Sequence, residues 1–369
     1  MGDNFVGKNH NILDDKSELL AKVGDIARLA TVIPSIRNDG KSAGIKTFEV
    51  DNGSGLQFTV LESKCLDLFT AKFKGVKLNF ESKAGLTAPQ YYNPHGSEFL
   101  YQFQGGLLYT CGLSNTGPNN TESGIEYPIH GRIANQPASN VGASGVWNNG
   151  SYNIEIGGTV RQASLFGEDF KLTRKISTSY GVNRIKITDD IENIGYDRQV
   201  LMILYHFNFG YPLLDEGARF VMKGAFNTIP RDAEAKKGLD RYETMEKPSP
   251  KAKEHVFYHL DPDPKVSGEN NKVAAAIIND KIGLGVYIAF DRDQLPVLTQ
   301  WKSMASGDYA LGIEPGNSKV GGREKEMAAN GVEYLEPSAV KHVEIEIGVL
   351  EGKEMIRTWT QDPIVLEGK

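Results

Sequence analysis

The feature that most constrains this chain is a residue period of two. Thr173–Tyr180 is rich in β-forming residues, Gly181-Val182-Asn183 turns the chain, and in Arg184–Asp189 the apolar Ile185 and Ile187 alternate with Lys186 and Thr188. Successive side chains of a strand point to opposite faces of a sheet, so this segment reads as strand, turn and strand. The same period appears at Phe48 and Val50, then at Leu56, Phe58 and Val60, with Asp51-Asn52-Gly53 as a hairpin turn between them. Further candidate strands are Tyr152–Val160, Phe170–Tyr180, Arg184–Asn193, Gln199–Phe209, Lys272–Ile278, Gly283–Phe290, Leu298–Trp301, Tyr309–Glu314 and Val340–Leu350. Many antiparallel strands at this spacing predict a mainly all-β protein, a sandwich or barrel, rather than alternating βαβ units.

Only the start of the chain departs from this period. Leu13, Leu20, Val23, Ile26 and Leu29 recur at helical spacing within Ile12–Ala30, with Asp14, Asp15 and Glu18 near the beginning. The expectation is an N-terminal helical appendage over residues 1–40, followed by one β domain over residues 41–369, because no linker or repeat divides the strand-rich part. The charged, proline-bearing stretch Arg231–Lys253 reads as a solvated surface insertion, with a short helix over Arg231–Lys237.

Composition excludes several classes of function. A formal charge of -6, with basic residues interleaved among acids, provides no field for a nucleic-acid backbone. Cys65 and Cys111 lack paired spacing and sit in apolar surroundings, so buried free thiols are expected rather than a zinc site or a disulfide. His255 and His259 would ligate a metal with Asp261 and Asp263 only on a helix, which Pro262 and Pro264 disfavour, so no metal is expected. No phosphate-cradling loop, dinucleotide fingerprint or Gly-x-Ser-x-Gly elbow is present, and no cofactor is implied. No apolar stretch is long enough to span a membrane, and the start lacks the pattern of a secretory signal; a cytoplasmic location is the expectation. Monomer and homodimer are both open.

Against this background two histidines and one carboxylate stand out: His130 in Ile129-His130-Gly131-Arg132, His206 in Tyr205-His206-Phe207-Asn208-Phe209-Gly210, and Glu314 in Gly312-Ile313-Glu314-Pro315-Gly316-Asn317. Together they can move protons near neutral pH without a cofactor. Gly131 permits close backbone approach beside His130, and Arg132 offers a donor fork for hydroxyl or anionic oxygens. His206 and Asn208 share one strand face. Glu314 precedes a proline and is expected at a strand end, partly desolvated, with its proton affinity raised. Gln300-Trp301-Lys302 and Asn317 offer amide, indole and cation to a hydroxyl-rich ligand, and Gly321-Gly322-Arg323 is either an anion grip or a plain turn. A carboxylate and imidazoles on two sides of a ring would suit the opening and closing of a sugar hemiacetal.

These motifs carry a resemblance. Gly105-Gly106-Leu107-Leu108-Tyr109-Thr110-Cys111-Gly112-Leu113, Gly117-Pro118, His130-Gly131-Arg132-Ile133, Tyr205–Pro212, Leu295-Pro296-Val297, Gln300-Trp301-Lys302 and Gly312–Asn317 resemble, in order, the DUF4432 branch of the aldose 1-epimerase (galactose mutarotase-like) superfamily. The resemblance implies a β-supersandwich of large antiparallel sheets with a sugar site on a concave face. It makes Glu314 the base on the anomeric hydroxyl, His206 the acid at the ring oxygen and His130 the second histidine. It also implies that Lys64 and Asp67, in Lys64-Cys65-Leu66-Asp67-Leu68, join Arg132, Asn208, Gln300, Trp301 and Asn317 in binding substrate. Two features depart from the wider pattern: Lys64 stands where close relatives carry arginine, and the Gly-Arg-x-x-Asn-Arg segment of typical mutarotases is missing. Which sugar binds is therefore open. A sugar-binding protein without activity, or a different epimerase or lyase on the same scaffold, are the alternative readings.

Overall fold

The computed structural model describes residues 16–122, 124–261 and 271–361. Their strands form mainly three antiparallel sheets of five, eight and seven strands, as the period of two predicts. The five-stranded sheet is a simple meander formed by residues 31–77. In the eight-stranded sheet the segments Asp169–Ser179 and Arg184–Asn193 pair as read from the sequence, with Ile176 opposite Ile187. The inward side chains Ile176, Ile185, Ile187 and Ile191 join Phe170 and Leu172 in the main core.

The seven-stranded sheet carries the functional candidates. Its most buried strand is Gln199–Phe209, covered from Val200 onwards on both faces, which explains its nearly continuous apolar run. Leu108–Leu113 pairs along one side of it and Asp308–Gly316 along the other. Val297–Ala305, His255–Leu260 and Asn227–Pro230 follow outward from Asp308–Gly316. One face of this sheet packs Tyr205, Phe207, Leu298, Leu311 and Ile313 into the main core. The opposite face carries a second apolar cluster built from Tyr109, Leu204, Val256, Tyr258 and Val297, with Phe99, Phe103 and Trp301 against it.

Among the differences from the sequence reading, three concern the N-terminal helix, Glu314 and the excursion. The N-terminal helix covers Lys16–Val23 and gives way to a 3-10 turn at Ile26–Arg28, because Gly24 takes a left-handed φ of 73° and Asp25 caps the turn; the part of the expected helix before residue 16 lies outside the described residues. Glu314 is not at a strand end, since its strand continues through Pro315 to Gly316. No pairing to Gln199–Phe209 is made at 314 and 315, so the N–H that Pro315 lacks is not missed there.

The excursion is the third difference. Helix Ala233–Lys236 is capped by Asp232, and the segment beyond it, mostly exposed as expected, is nevertheless anchored at a few points. The buried Lys302 donates to the carbonyls of Arg241 and Thr244 and pairs with Glu246 at 2.6 Å, while Met245 is buried in the main core. Both cysteines are buried free thiols.

Candidate active site

Register brings the candidates together. The ladder pairs Leu204 with Gly316 and Phe207 with Ile313, which puts His206 opposite Glu314 on the neighbouring strand. Tyr109 pairs with His206 on the other side, Thr299 with Glu314, and Tyr258 with Thr299. Directly paired residues project to the same face. Tyr109, His206, Glu314, Thr299 and Tyr258 therefore form one row across five strands, on the face turned away from the main core.

Within that row His206 Nε2 approaches Glu314 Oε1 at 3.1 Å, an ion-pair distance not aligned as a hydrogen bond. The Glu314 carboxylate folds back over Gly312, where a Cβ would lie 2.1 Å from Oε1. The glycine of the Gly-Ile-Glu motif is thus the space the carboxylate occupies. His130 arrives from a separate loop, its ring 5.8 Å from that of His206. The loop is bent tightly: His130 has φ 56° and Gly131 φ 75°, and a Cβ on Gly131 would meet the Gly112 carbonyl at 2.0 Å. His130 Nδ1 accepts from Gly117 N–H at 3.3 Å, which assigns the ring proton to Nε2.

Aromatic rings enclose the imidazoles. Phe103 and Trp301 lie 5.4 Å and 5.5 Å from His206, and Phe99 lies 5.3 Å from His130. His206 and Glu314 are 6 % and 2 % exposed. Burial pushes the Glu314 carboxyl well above its ordinary value, with the negative charge of Glu254 adding to the rise and Arg231 opposing it. It pulls His206 well below the ordinary imidazole value, with His130 adding to the fall, and brings His130 down to about 4. Both directions follow from the cost of charge in a low dielectric, and together they favour a neutral carboxyl beside a neutral imidazole. Two buried polar atoms on this face, Glu314 Oε1 and Thr299 Oγ1, have no hydrogen-bond partner among the described residues, while the side chains of His206 and Asn208 meet each other. Buried polar groups are nearly always paired, so these atoms are free to bond to a polar group entering the site.

The other sequence candidates divide. Trp301 faces the site, and Asn208 stands one row along, its amide donating to the Gly106 and His206 carbonyls. Arg132 is half-buried two residues from His130, donating to the Glu126 carbonyl. Gln300 and Lys302 point the other way, because the period of two turns them from Trp301. Gln300 meets His259 and the Tyr242 carbonyl, and Lys302 holds the excursion. Asn317 splices backbone, bonding Ile203 N–H and the Leu201 carbonyl. Asp67 lies behind the site in the core, bonded to Thr110 and Arg174. Lys64 is buried against Asn135, whose amide reaches Tyr109 Oη at 3.4 Å, so it supports the site from behind.

Among the described residues no group of ligating side chains could hold a metal ion. His255 and His259 lie on a strand, and His259 is occupied by Thr228 and Gln300; Asp263 is outside the described residues. The Gly321-Gly322-Arg323 turn is no anion grip, since Arg323 pairs with Glu122 at 2.6 Å and donates to the Ser114 carbonyl. Sequence reasoning missed Phe99, Phe103, Tyr109, Thr299, Arg231 and Glu254 as parts of the site. Thr299 and Tyr109 are recoverable from strand register once Glu314 and His206 are fixed; Glu254 has no local signal.

Comparison with known proteins gives a consistent picture. A family model described as a domain of unknown function, DUF4432, matches residues 42–349. A candidate aldose 1-epimerase from Klebsiella pneumoniae subsp. pneumoniae MGH 78578 superposes with a TM-score of 0.83 at 27% identity, covering 89% of this chain and 86% of that one. A galactose mutarotase-like protein from Clostridium acetobutylicum gives 0.59 at 15% identity, covering 88% of this chain and 99% of that one. A galactose 1-epimerase from Lactobacillus acidophilus NCFM gives 0.55 at 12%, with coverage of 88% and 99%. At the last two identities the likeness is one of fold. No curated protein matches the chain in sequence.

Proposed function

The chain belongs to the DUF4432 family and has a galactose mutarotase-like fold, and from that premise we propose that it is an aldose 1-epimerase-like isomerase, interconverting the α and β anomers of a free or modified sugar by acid and base catalysis. The observation that carries this reading is the 3.1 Å approach of His206 to Glu314 in a buried, aromatic-walled row, with His130 on its flank.

The buried pair holds one transferable proton, either on Glu314 beside a neutral His206 or on His206 beside an ionised Glu314. The first form suits a site filled by apolar neighbours; sugar hydroxyls between the two groups would stabilise the second. The Glu314 carboxylate then takes the proton of the anomeric hydroxyl, whose O–H electrons form the carbonyl. The bond from the anomeric carbon to the ring oxygen breaks, and that oxygen takes the proton of His206. Neutral His130, with its proton on Nε2, donates a hydrogen bond to the oxygen as it leaves. Rotation about the bond to the aldehyde carbon and reversal of the steps gives the other anomer. Trp301 and Phe103 supply the apolar walls that a sugar ring packs against.

The test is saturation-transfer NMR between α and β anomeric signals of D-glucose, D-galactose, D-glucuronate and D-glucose 6-phosphate in deuterated buffer. Exchange accelerated by the protein for at least one sugar is the expected result. Deuterium incorporated at carbon would replace the reading with a different epimerase or a lyase, and binding without either effect would replace it with a sugar-binding protein.

A further inference from the structure

Trp301 is held by more than packing. Its indole Nε1–H donates to Glu254 Oε2 at 2.9 Å, and Glu254 Oε1 accepts from Arg231 Nη2 at 2.9 Å. Arg231 also donates from Nε to Asp232 Oδ2, and Asp232 caps helix Ala233–Lys236. Arg231 and Glu254 flank the excursion at its two ends, so their pairing closes the segment that Lys302 clamps from the other face of the sheet. The chain of bonds runs from the helix cap to the indole, and the indole stands 5.5 Å from His206 with Phe80 and Phe103 edge-on to it.

We propose that Glu254 is a positioning residue of this site: bridged to Arg231, it locks the Trp301 indole beside His206 and through that indole brings a carboxylate to the edge of the site. This rests on the function proposed above. His206 lies beside the Glu314 carboxyl on the adjacent strand and Thr299 across the ladder, and Cys111, Tyr258, Arg231 and Glu254 are the other titratable or charged groups that interact with it electrostatically. Of the two charges in that pair, Glu254 acts more strongly on Glu314, raising its proton affinity, and it raises that of His130 as well. One side chain thereby links the apolar wall of the site to the proton balance of its catalytic pair.

The experiment uses the full chain labelled with 15N at tryptophan. Trp147, Trp301 and Trp359 give three indole N–H resonances, and Trp301→Phe identifies the middle one of the three in sequence. Glu254→Ala is expected to move the Trp301 resonance and leave the other two in place, whereas Glu254→Gln, whose amide oxygen still accepts, moves it less. A Trp301 resonance unmoved by Glu254→Ala overturns the positioning role whether or not the protein turns over any sugar.

Activity is then measured on the sugar of the panel that the wild type accelerates most. Loss of one hydrogen bond worth about 0.5–1.5 kcal/mol corresponds to about a two- to tenfold rise in KM. Glu254→Ala is expected to show that rise with a smaller change in kcat, and its combination with Trp301→Phe should be no worse than the more severe single variant. Glu254→Gln should restore KM while moving the alkaline limb of the pH–rate profile to lower pH, because the charge is gone. Additive effects on KM, or an unmoved limb in Glu254→Gln, overturn the proposal. If the wild type accelerates no sugar, the functional reading falls and the indole resonance alone decides the positioning role.

Discussion

In the proposed mechanism His206 and Glu314 share one proton, so they would titrate as a unit rather than as a histidine and a carboxylate. A second proton on the pair must go to an imidazole whose affinity burial has lowered, and loss of the shared proton must come from a carboxyl whose affinity burial has raised. A bell-shaped pH–rate profile is therefore expected, with the acid limb below pH 6.5 and the alkaline limb well above the ordinary carboxylate range; a single limb near pH 4.5 would contradict it. Glu314→Gln and His206→Asn should each lower turnover by about 10²–10⁴-fold with circular dichroism unchanged, and near-normal rates would remove them from the mechanism. His130 also affects stability. Its folded pKa of about 4 lies below the unfolded value of 6.5, so the unfolded chain binds more protons between those values and stability falls as pH drops from 6.5 to 4. Urea titrations at pH 7 and pH 4.5 should show a smaller acid loss in His130→Asn than in wild type. The three residue types and their glycine settings were legible in the sequence. Their proximity was not, because it depends on the pairing of strands about a hundred residues apart.

At the scale of elements, the strand period was read correctly and its consequences only in part. Gln199–Phe209 and Arg184–Asn193 have the bounds expected, because their apolar alternation or run is unbroken. Val297–Ala305 extends well past the expected Trp301, since Lys302 and Ser303 look like the end of a strand until the carbonyls of Arg241 and Thr244 are brought to the ammonium. That same alternation means that Gln300, Trp301 and Lys302 could never all face one ligand. The excursion depends on this buried cation. Lys302→Met removes a charge paired with Glu246 and leaves two carbonyls without their donor, for an expected cost of about 2–4 kcal/mol. Limited proteolysis should then cut within 239–253 at denaturant concentrations where the wild type resists, and an unchanged digestion pattern would show that the segment is held by other contacts.

Across the whole molecule, the two faces of the seven-stranded sheet are bound to different tasks. Behind His206, Tyr205 donates to Asp189, and Asp189 and Asp67 both pair with Arg174, which is fully buried in the core. Burial raises Asp67 to about 6 even with the guanidinium beside it. Arg174→Met would leave two buried acids without their cation, and a loss of about 3–5 kcal/mol in urea unfolding is expected; a loss under about 1 kcal/mol would show that the acids are satisfied without it. The period of two puts Arg174 on the inward face with Phe170, Leu172 and Ile176, but nothing local shows which acids meet it, since Asp67 comes from a strand about a hundred residues away. The resemblance sent Asp67 to the site, and the amide of Asn317 close to Glu314 in sequence sent that residue there, although the two bond within the core and to the backbone. Sequence alone determined the β class, the turns, the buried thiols and the three residues able to move protons, since each depends on chemistry or periodicity within a few positions. Only tertiary structure decided which face each of them occupies and which strands lie side by side, and with them the approach of His206 to Glu314, the aromatic enclosure and the Glu254 bridge to Trp301. Those depend on register across strands distant in the chain, where a shift of one residue would turn every side chain to the other face.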